Sequence, residues 1–244
     1  MIHINKDFSK IPASLTSETT NERRREIIKL KKFQTQGIYS SRYKKEDVKT
    51  ALSNLYRNKC AFCEQKIERF DVEHFRPKSI YYWLAYSWDN LLVACPVCNG
   101  NKTNHFKLIK KRVEFDDADY KNIHHLAEKY NQLEENLFFH PEIENPEDDL
   151  DFKEDGTISS DNQKLCYTIE TCKLNRPYLI ERRKRIIDNF LQQQNEIYLQ
   201  YLSTKEEALL YEIKALRKLF KKEALDKENE FLAFRRKMVK NFSL

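Results

Sequence analysis

Four of the six cysteines stand in two C-x2-C pairs, Cys60/Cys63 and Cys95/Cys98, with 31 residues between the pairs. Two such pairs can close a tetrahedron of thiolates around one Zn²⁺, and in a reducing compartment this is expected in preference to disulfides. Cys166 and Cys172 lack that spacing and read as small buried apolar residues. Within the cysteine frame, and just beyond it, lie residues suited to a different chemistry. Glu73-His74 sets a carboxylate beside the side chain whose ordinary pKa lies nearest neutrality. Asn90 follows on, Asn99 comes directly after the fourth cysteine, and Arg76, Lys78 and Lys102 add cationic groups. The set holds a candidate proton acceptor, oxygen donors for a hard divalent cation, and positive charge for an anion.

The phrases VEHFRPKS (72–79), WDNLL (88–92) and CPVCNGNK (95–102) resemble the HNH, or ββα-metal, nuclease superfamily. Its pattern is an acidic-His pair on a strand, an Asn in the following turn, and a His or Asn opening a helix after the second knuckle. The resemblance implies a phosphodiesterase that cuts nucleic acid, with His74 as general base and Asn90 holding the loop that orients it. It also implies that Glu73 and Asn99 ligate a catalytic Mg²⁺ or Mn²⁺, and that the cysteines hold a structural Zn²⁺. Phosphodiester hydrolysis needs a deprotonated water in line and a cation at the scissile phosphate. Mg²⁺ keeps several waters, so one carboxylate and one amide oxygen suffice. Strand alternation should point Glu73 and His74 to opposite faces unless the strand is distorted. Glu73 has a longer arm than the Asp of many HNH enzymes, and Asn99 stands where others carry His, which favours oxygen-seeking cations. Arg76, Lys78 and Lys102 are expected to contact the substrate backbone. His105 is expected to stay outside the ligand set, since the position four residues after Asn99 is Thr103.

A longer run of phrases extends the likeness over roughly residues 45–185: Phe138-Phe139-His140-Pro141, Asn145-Pro146-Glu147, Phe152…Asp155-Gly156, and Thr168-Ile169…Leu174-Asn175-Arg176. In that order they resemble the HNH nuclease subunit of Septu-type antiphage systems and of related retron-associated defence modules. That resemblance implies a toxic effector acting with an ABC-type ATPase. Two other readings stay open: a housekeeping or mobile-element HNH nuclease, and a non-catalytic zinc-stapled module that binds nucleic acid or protein.

The elements that must position these residues suggest an α+β, mostly helical fold. A zinc-stapled ββα-metal unit would be flanked by N-terminal helices and a C-terminal helical hairpin. Residues 21–36 read as a helix ended by Gly37, and 43–58 as a second helix with Val48, Leu52, Leu55 and Tyr56 on one stripe. Ile67 to His74 reads as a hairpin, the aromatics of 81–88 as core, and the second knuckle as the opening of a helix. Asp155-Gly156 predicts a hairpin turn. Ser160-x-x-Gln163 and Thr204-x-x-Glu207 are candidate capping boxes. Two long helices, about 177–202 and 205–240, should pack as an antiparallel pair. The divisions expected are 1–58, 59–160 as nuclease core with an acidic hairpin, and 161–244 as a helical region available for partner docking.

Composition sets the outer bounds. The 244 residues carry a formal charge of +6, but 134–155 alone hold ten carboxylates against Lys153. That stretch is therefore −9, which leaves +15 on the rest, a balance suited to a polyanionic partner. No apolar run is long enough to span a bilayer and the first residues lack a signal-peptide core, so a cytoplasmic place without membrane contact is expected.

Overall fold

The computed structural model describes residues 1–242. The chain opens with α1 (Ala13–Thr16) and α2 (Glu18–Lys29), and Ser17 caps α2 by accepting from the Thr20 amide. The helix thus starts earlier than its apolar spacing suggests, and it ends earlier too, because Lys31 adopts a left-handed φ of 49°. Residues 30–36 then leave the helix so that Phe33 can turn inward against Tyr43 and Tyr86, with ring centroids 6.3 and 6.4 Å away. Gly37 does not end a helix but opens the single turn α3 (Gly37–Ser40). Helix α4 (Glu46–Tyr56) buries Val48, Leu52 and Tyr56 as its stripe requires. Arg57 and Asn58, both left-handed, stop it and deliver the chain into Cys60.

A Lys59–Lys66 bridge closes the first knuckle, and the strand that follows finds its partner across the cysteine frame rather than in a local hairpin. Strand β1 (Asp71–His74) pairs antiparallel with β2 (Leu91–Ala94), in the register Asp71 to Ala94, Val72 to Val93, Glu73 to Leu92 and His74 to Leu91. All four residues of β2 are apolar and buried, so this segment makes a better partner for β1 than residues 67–70, where Glu68 and Arg69 interrupt the apolar run. Helix α5 (Pro96–Lys102) follows at once, with Pro96 in its first turn and Cys95 Sγ accepting from the Cys98 amide. This is a ββα unit. Between its strands Tyr81, Trp83, Tyr86 and Trp88 are buried, as expected.

Two buried polar ties fix the turn that leads into β2. Lys6 Nζ donates to Trp88 O (2.7 Å), Leu91 O (2.8 Å) and Glu142 Oε1 (3.1 Å). Asp89 Oδ2 accepts from the Leu126 and Ala127 amides at the start of α6 (Ala127–Glu134).

Beyond α6, β3 (Asp151–Phe152) and β4 (Ile158–Ser159) form the small hairpin signalled by Asp155-Gly156. Gly156 has φ +88°, and a Cβ there would lie 2.2 Å from Ile180 O, so only glycine fits. Helix α7 (Gln163–Thr171) is capped by Asn162 rather than Ser160. Helices α8 (Pro177–Thr204) and α9 (Ala208–Leu225) form the expected antiparallel pair. The second arm, however, breaks at 226–231 and returns as α10 (Leu232–Asn241). Phe231, Leu232, Phe234 and Met238 are too apolar to continue along an exposed hairpin and instead enter the core, where Phe234 meets Phe152 at 5.6 Å. Helix α10 also answers the acidic stretch: Arg236 pairs with Glu147, Lys237 with Asp151 and Lys240 with Asp148. One cluster of buried side chains runs from Met1 to Met238 and draws on 1–58, 59–160 and 161–242 alike. No described helix is long and apolar enough to cross a membrane.

Candidate active site and metal centre

The sulfurs of Cys60, Cys63, Cys95 and Cys98 all lie within 4.8 Å of one another, and all four residues are buried. Zn–S bonds of about 2.3 Å place tetrahedral sulfurs about 3.8 Å apart. The Cys63–Cys95 separation of 3.9 Å therefore suits that ion. The guanidinium of Arg176, at the start of α8, lies 3.6 Å from Cys98 Sγ and 3.9 Å from Cys95 Sγ, where it offsets thiolate charge. The donor set fits a structural zinc that staples β1, β2 and α5. Cys172 is buried as expected, whereas Cys166 is half-buried.

At the end of β1 an open cleft of about 530 Å³ is lined by Glu73, His74, Lys78 and Asn99, among others. Glu73 and His74 alternate as strand neighbours must, yet both reach the cleft because it crosses the last residues of the strand. Glu73 turns toward α5, where its Oε1 accepts from Lys102 Nζ at 2.6 Å. His74 turns the other way, toward the 82–87 segment, where its Nε2 lies 3.0 Å from Ala85 O. A carbonyl can only accept, so Nε2 carries the proton and a neutral ring keeps its lone pair on Nδ1. Burial, reinforced by the positive charge of Lys78, holds the His74 pKa well below the usual histidine value. Tyr43 packs edge-on against the imidazole, with centroids 4.6 Å apart and planes at 87°.

Asn90 sits behind the cleft as a three-way clamp. Its Oδ1 accepts from the Arg76 amide (2.7 Å), and its Nδ2 donates to Arg76 O (3.1 Å) and Leu84 O (3.2 Å). It thereby ties together the residue two beyond His74 and the one before Ala85. Asn99 Nδ2 donates to Asp71 Oδ2 at 2.8 Å, which leaves its amide oxygen for other partners. Asp71 had no motif to mark it; only its i, i+2 relation to Glu73 along the strand hints at a shared face. The lip formed by Lys32, Phe33, Tyr43 and Lys44 was also missed, since it comes from irregular chain with no characteristic spacing.

Two expected substrate contacts are corrected. Arg76 is buried, its Nε bonded to Glu134 Oε2 (2.9 Å) and an Nη to Asn131 Oδ1 (2.8 Å), so its charge is spent inside the protein. Lys102 is fully buried between Glu73 Oε1 and His74 O (2.8 Å), because α5 packs its inner face on β1. Lys78 alone of the three lines the cleft. His105 is exposed and does not line it. Arg76→Ala should therefore act on stability: truncating one partner of a buried ion pair costs about 3–5 kcal/mol. Denaturant unfolding would measure it, and a variant as stable as the parent would show that the pair does not hold α6 to the unit.

Residues 60–105, which span the knuckles, both strands and α5, match the HNH endonuclease family model. The matched residues contain the ββα unit and its four-cysteine cluster. The chain is similar to Septu protein PtuB of Bacillus mycoides (strain KBAB4), 32% identical over 189 residues that cover 70% of this chain and 60% of that protein. It is also similar to Septu protein PtuA of the same organism, 26% identical over 208 residues covering 78% of this chain and 25% of that protein. Septu protein PtuB of Bacillus thuringiensis is 42% identical over 62 residues, 24% of each chain. The chain therefore spans between a quarter and three fifths of the curated relatives it matches.

Proposed function

We propose that this chain is a metal-dependent endonuclease hydrolysing phosphodiester bonds in nucleic acid, with His74 as general base. The observation that carries this reading is the pairing of His74 Nε2 with Ala85 O, which leaves the lone pair on Nδ1 of a side chain that lines one cleft with Glu73 and Asn99. His74 Nδ1 takes a proton from water, the water oxygen bonds to phosphorus, and the bond to the departing 3′ oxygen breaks in line. Asn90 keeps the imidazole in place by tying Arg76, just beyond His74 in the chain, to Leu84, the residue before Ala85.

Glu73 and Asn99 offer a carboxylate oxygen and an amide oxygen to one cleft, a donor set that fits Mg²⁺ or Mn²⁺. When bound, such an ion supplies charge neutralisation at the scissile phosphate. Lys102 holds the Glu73 carboxylate in a fixed rotamer, and Asp71 holds the Asn99 amide. Lys78, with no carboxylate partner among the described residues, supplies positive charge for the substrate backbone.

The proposal extends to an effector of antiphage defence that works with an ABC-type ATPase, a reading that rests on the resemblance of the motifs to Septu-type systems and is supported by the similarity to Septu proteins. Purified protein should cut plasmid DNA or transfer RNA when Mg²⁺ or Mn²⁺ is added. Glu73→Ala and Asn99→Ala should need much more metal, and high metal should restore part of their rate by mass action. Cleavage that persists in EDTA with the zinc retained would end this reading, leaving a zinc-stapled binding module. Co-purification with a neighbouring ATPase tests the partnership.

A further inference from the structure

The cleft beside His74 is not built by the HNH domain alone. One of its walls is the chain between α2 and α4, which lies wholly before residue 60 and contributes Lys32, Phe33, Tyr43 and Lys44. Phe33 and Tyr43 are buried and hold this wall down, Phe33 against Tyr43 and Tyr86, Tyr43 against the His74 ring. Lys32 and Lys44 are exposed at its edge. Across from them, Lys78 Nζ stands 5.7 Å from the Phe33 ring centre and 5.6 Å from that of Tyr43.

The charge around this opening is unbalanced. Among the described residues none of Lys32, Lys44 and Lys78 forms an ion pair. The carboxylate that lines the cleft, Glu73, is already bonded to Lys102. Of the four basic residues of α10, by contrast, three are matched by the acidic stretch and the fourth, Arg235, by Glu223. Positive charge left unmatched at the mouth of a cleft is placed to hold an anion that enters it.

We infer that Lys32 and Lys44 form, with Lys78, a backbone-binding lip that grips the phosphates flanking the scissile one. The nucleic-acid strand crosses the cleft from this lip over His74 toward the neutral rim at Ser79 and Asn104. The inference rests on the nuclease reading and adds to it a substrate-binding element outside the matched domain. Such contacts read charge spacing and carry no base identity, so they raise affinity for any sequence alike. A neutral strand with the same bases would gain nothing from them.

The test uses the full chain carrying His74→Ala, so that the probe is not cut, and a fluorescein-labelled 20-nucleotide single strand read by anisotropy across a salt series. Lysine contacts to a single strand each contribute about 0.7 to the slope of log affinity against log salt. Adding Lys32→Ala and Lys44→Ala together should flatten that slope by about 1.4 and weaken binding about tenfold at low salt. Lys44→Glu should weaken it further. Lys121→Ala, at an exposed lysine outside the cleft, should match the parent. Circular dichroism should show the three lysine variants folded like the His74→Ala parent, since the lysines they replace are at the surface. A parent that does not bind the strand, or a double variant with the slope of Lys121→Ala, overturns the inference. The two levels separate cleanly. If the wild type cuts with Mg²⁺ while the lip variants keep the parental slope, the lip is wrong and the active site stands. If the wild type neither cuts nor binds, the nuclease reading falls with it.

Discussion

His74→Ala should lose about 10²–10⁴-fold in cleavage rate, the range expected when a positioned general base is removed. Its response to metal should separate it from its neighbours. Glu73→Ala lacks a ligand, so more Mg²⁺ or Mn²⁺ can refill the site. His74→Ala lacks the proton acceptor, so a metal titration should saturate at the wild-type midpoint with a low plateau. The surroundings make a substitute base hard to find. Nδ1 is the ring atom left free once Nε2 donates to Ala85 O, and Lys78, whose charge acts most strongly on His74, is a cation. Single-turnover rates on plasmid and transfer RNA, with circular dichroism to verify folding, would measure the effect. A His74→Ala protein that cuts at the wild-type rate would remove His74 from the chemistry.

How much of this site can be read without coordinates depends on whether a residue's neighbours are near in sequence. The thiolate cluster is legible because C-x2-C spacing is itself geometry: a knuckle of that length points both sulfurs inward, and two knuckles complete a tetrahedron. The ββα unit follows from motif resemblance, and the Asp155-Gly156 turn from backbone preference at a position where φ is +88°. The partner of β1 is harder, since 67–74 looks locally like a hairpin. What decides is the fully buried β2, which comes in the chain only after the aromatic segment that lies between the two strands.

Charge is where sequence reading misleads most. Arg76 and Lys102 sit two and twenty-eight positions from His74 and look like substrate contacts, yet each is consumed by a carboxylate, Glu134 and Glu73. Glu134 is 58 residues from Arg76, and nothing in either residue's local sequence announces the other. The acidic stretch likewise reads as a free negative patch until α10 folds back upon it. That return depends on Phe231 taking a left-handed turn so that Phe234 and Met238 reach the core, a tertiary decision that outweighs helix propensity along 205–240. Conversely, the lip lysines have no motif at all, and they emerge only because Phe33 and Tyr43 anchor irregular chain beside His74.

Loss of the zinc should have the largest effect on the protein as a whole. Strands β1 and β2 are four residues each and α5 is seven, too little regular structure to bury enough apolar area alone. Structural zinc in small domains contributes about 10–16 kcal/mol at neutral pH in peptide systems, as much as the whole stability of a typical domain, about 5–15 kcal/mol. The metal-bound knuckles also hold Phe62 against Phe138, and through it the 138–141 segment that reaches back to the N-terminal residues. Unstapling the unit should therefore spread beyond residues 60–105 into the common core. Metal analysis of the purified protein should find about one zinc per chain. Cys95→Ser should bind less, melt well below the wild type or fail to accumulate in soluble form, and lose cleavage even in excess Mg²⁺, because Glu73 and Asn99 are then no longer held across one cleft. Cys166→Ser, outside the cluster, should behave as wild type in all three measurements. A Cys95→Ser protein free of zinc, with the wild-type melting temperature and full cleavage, would show that the four sulfurs do not hold this fold together.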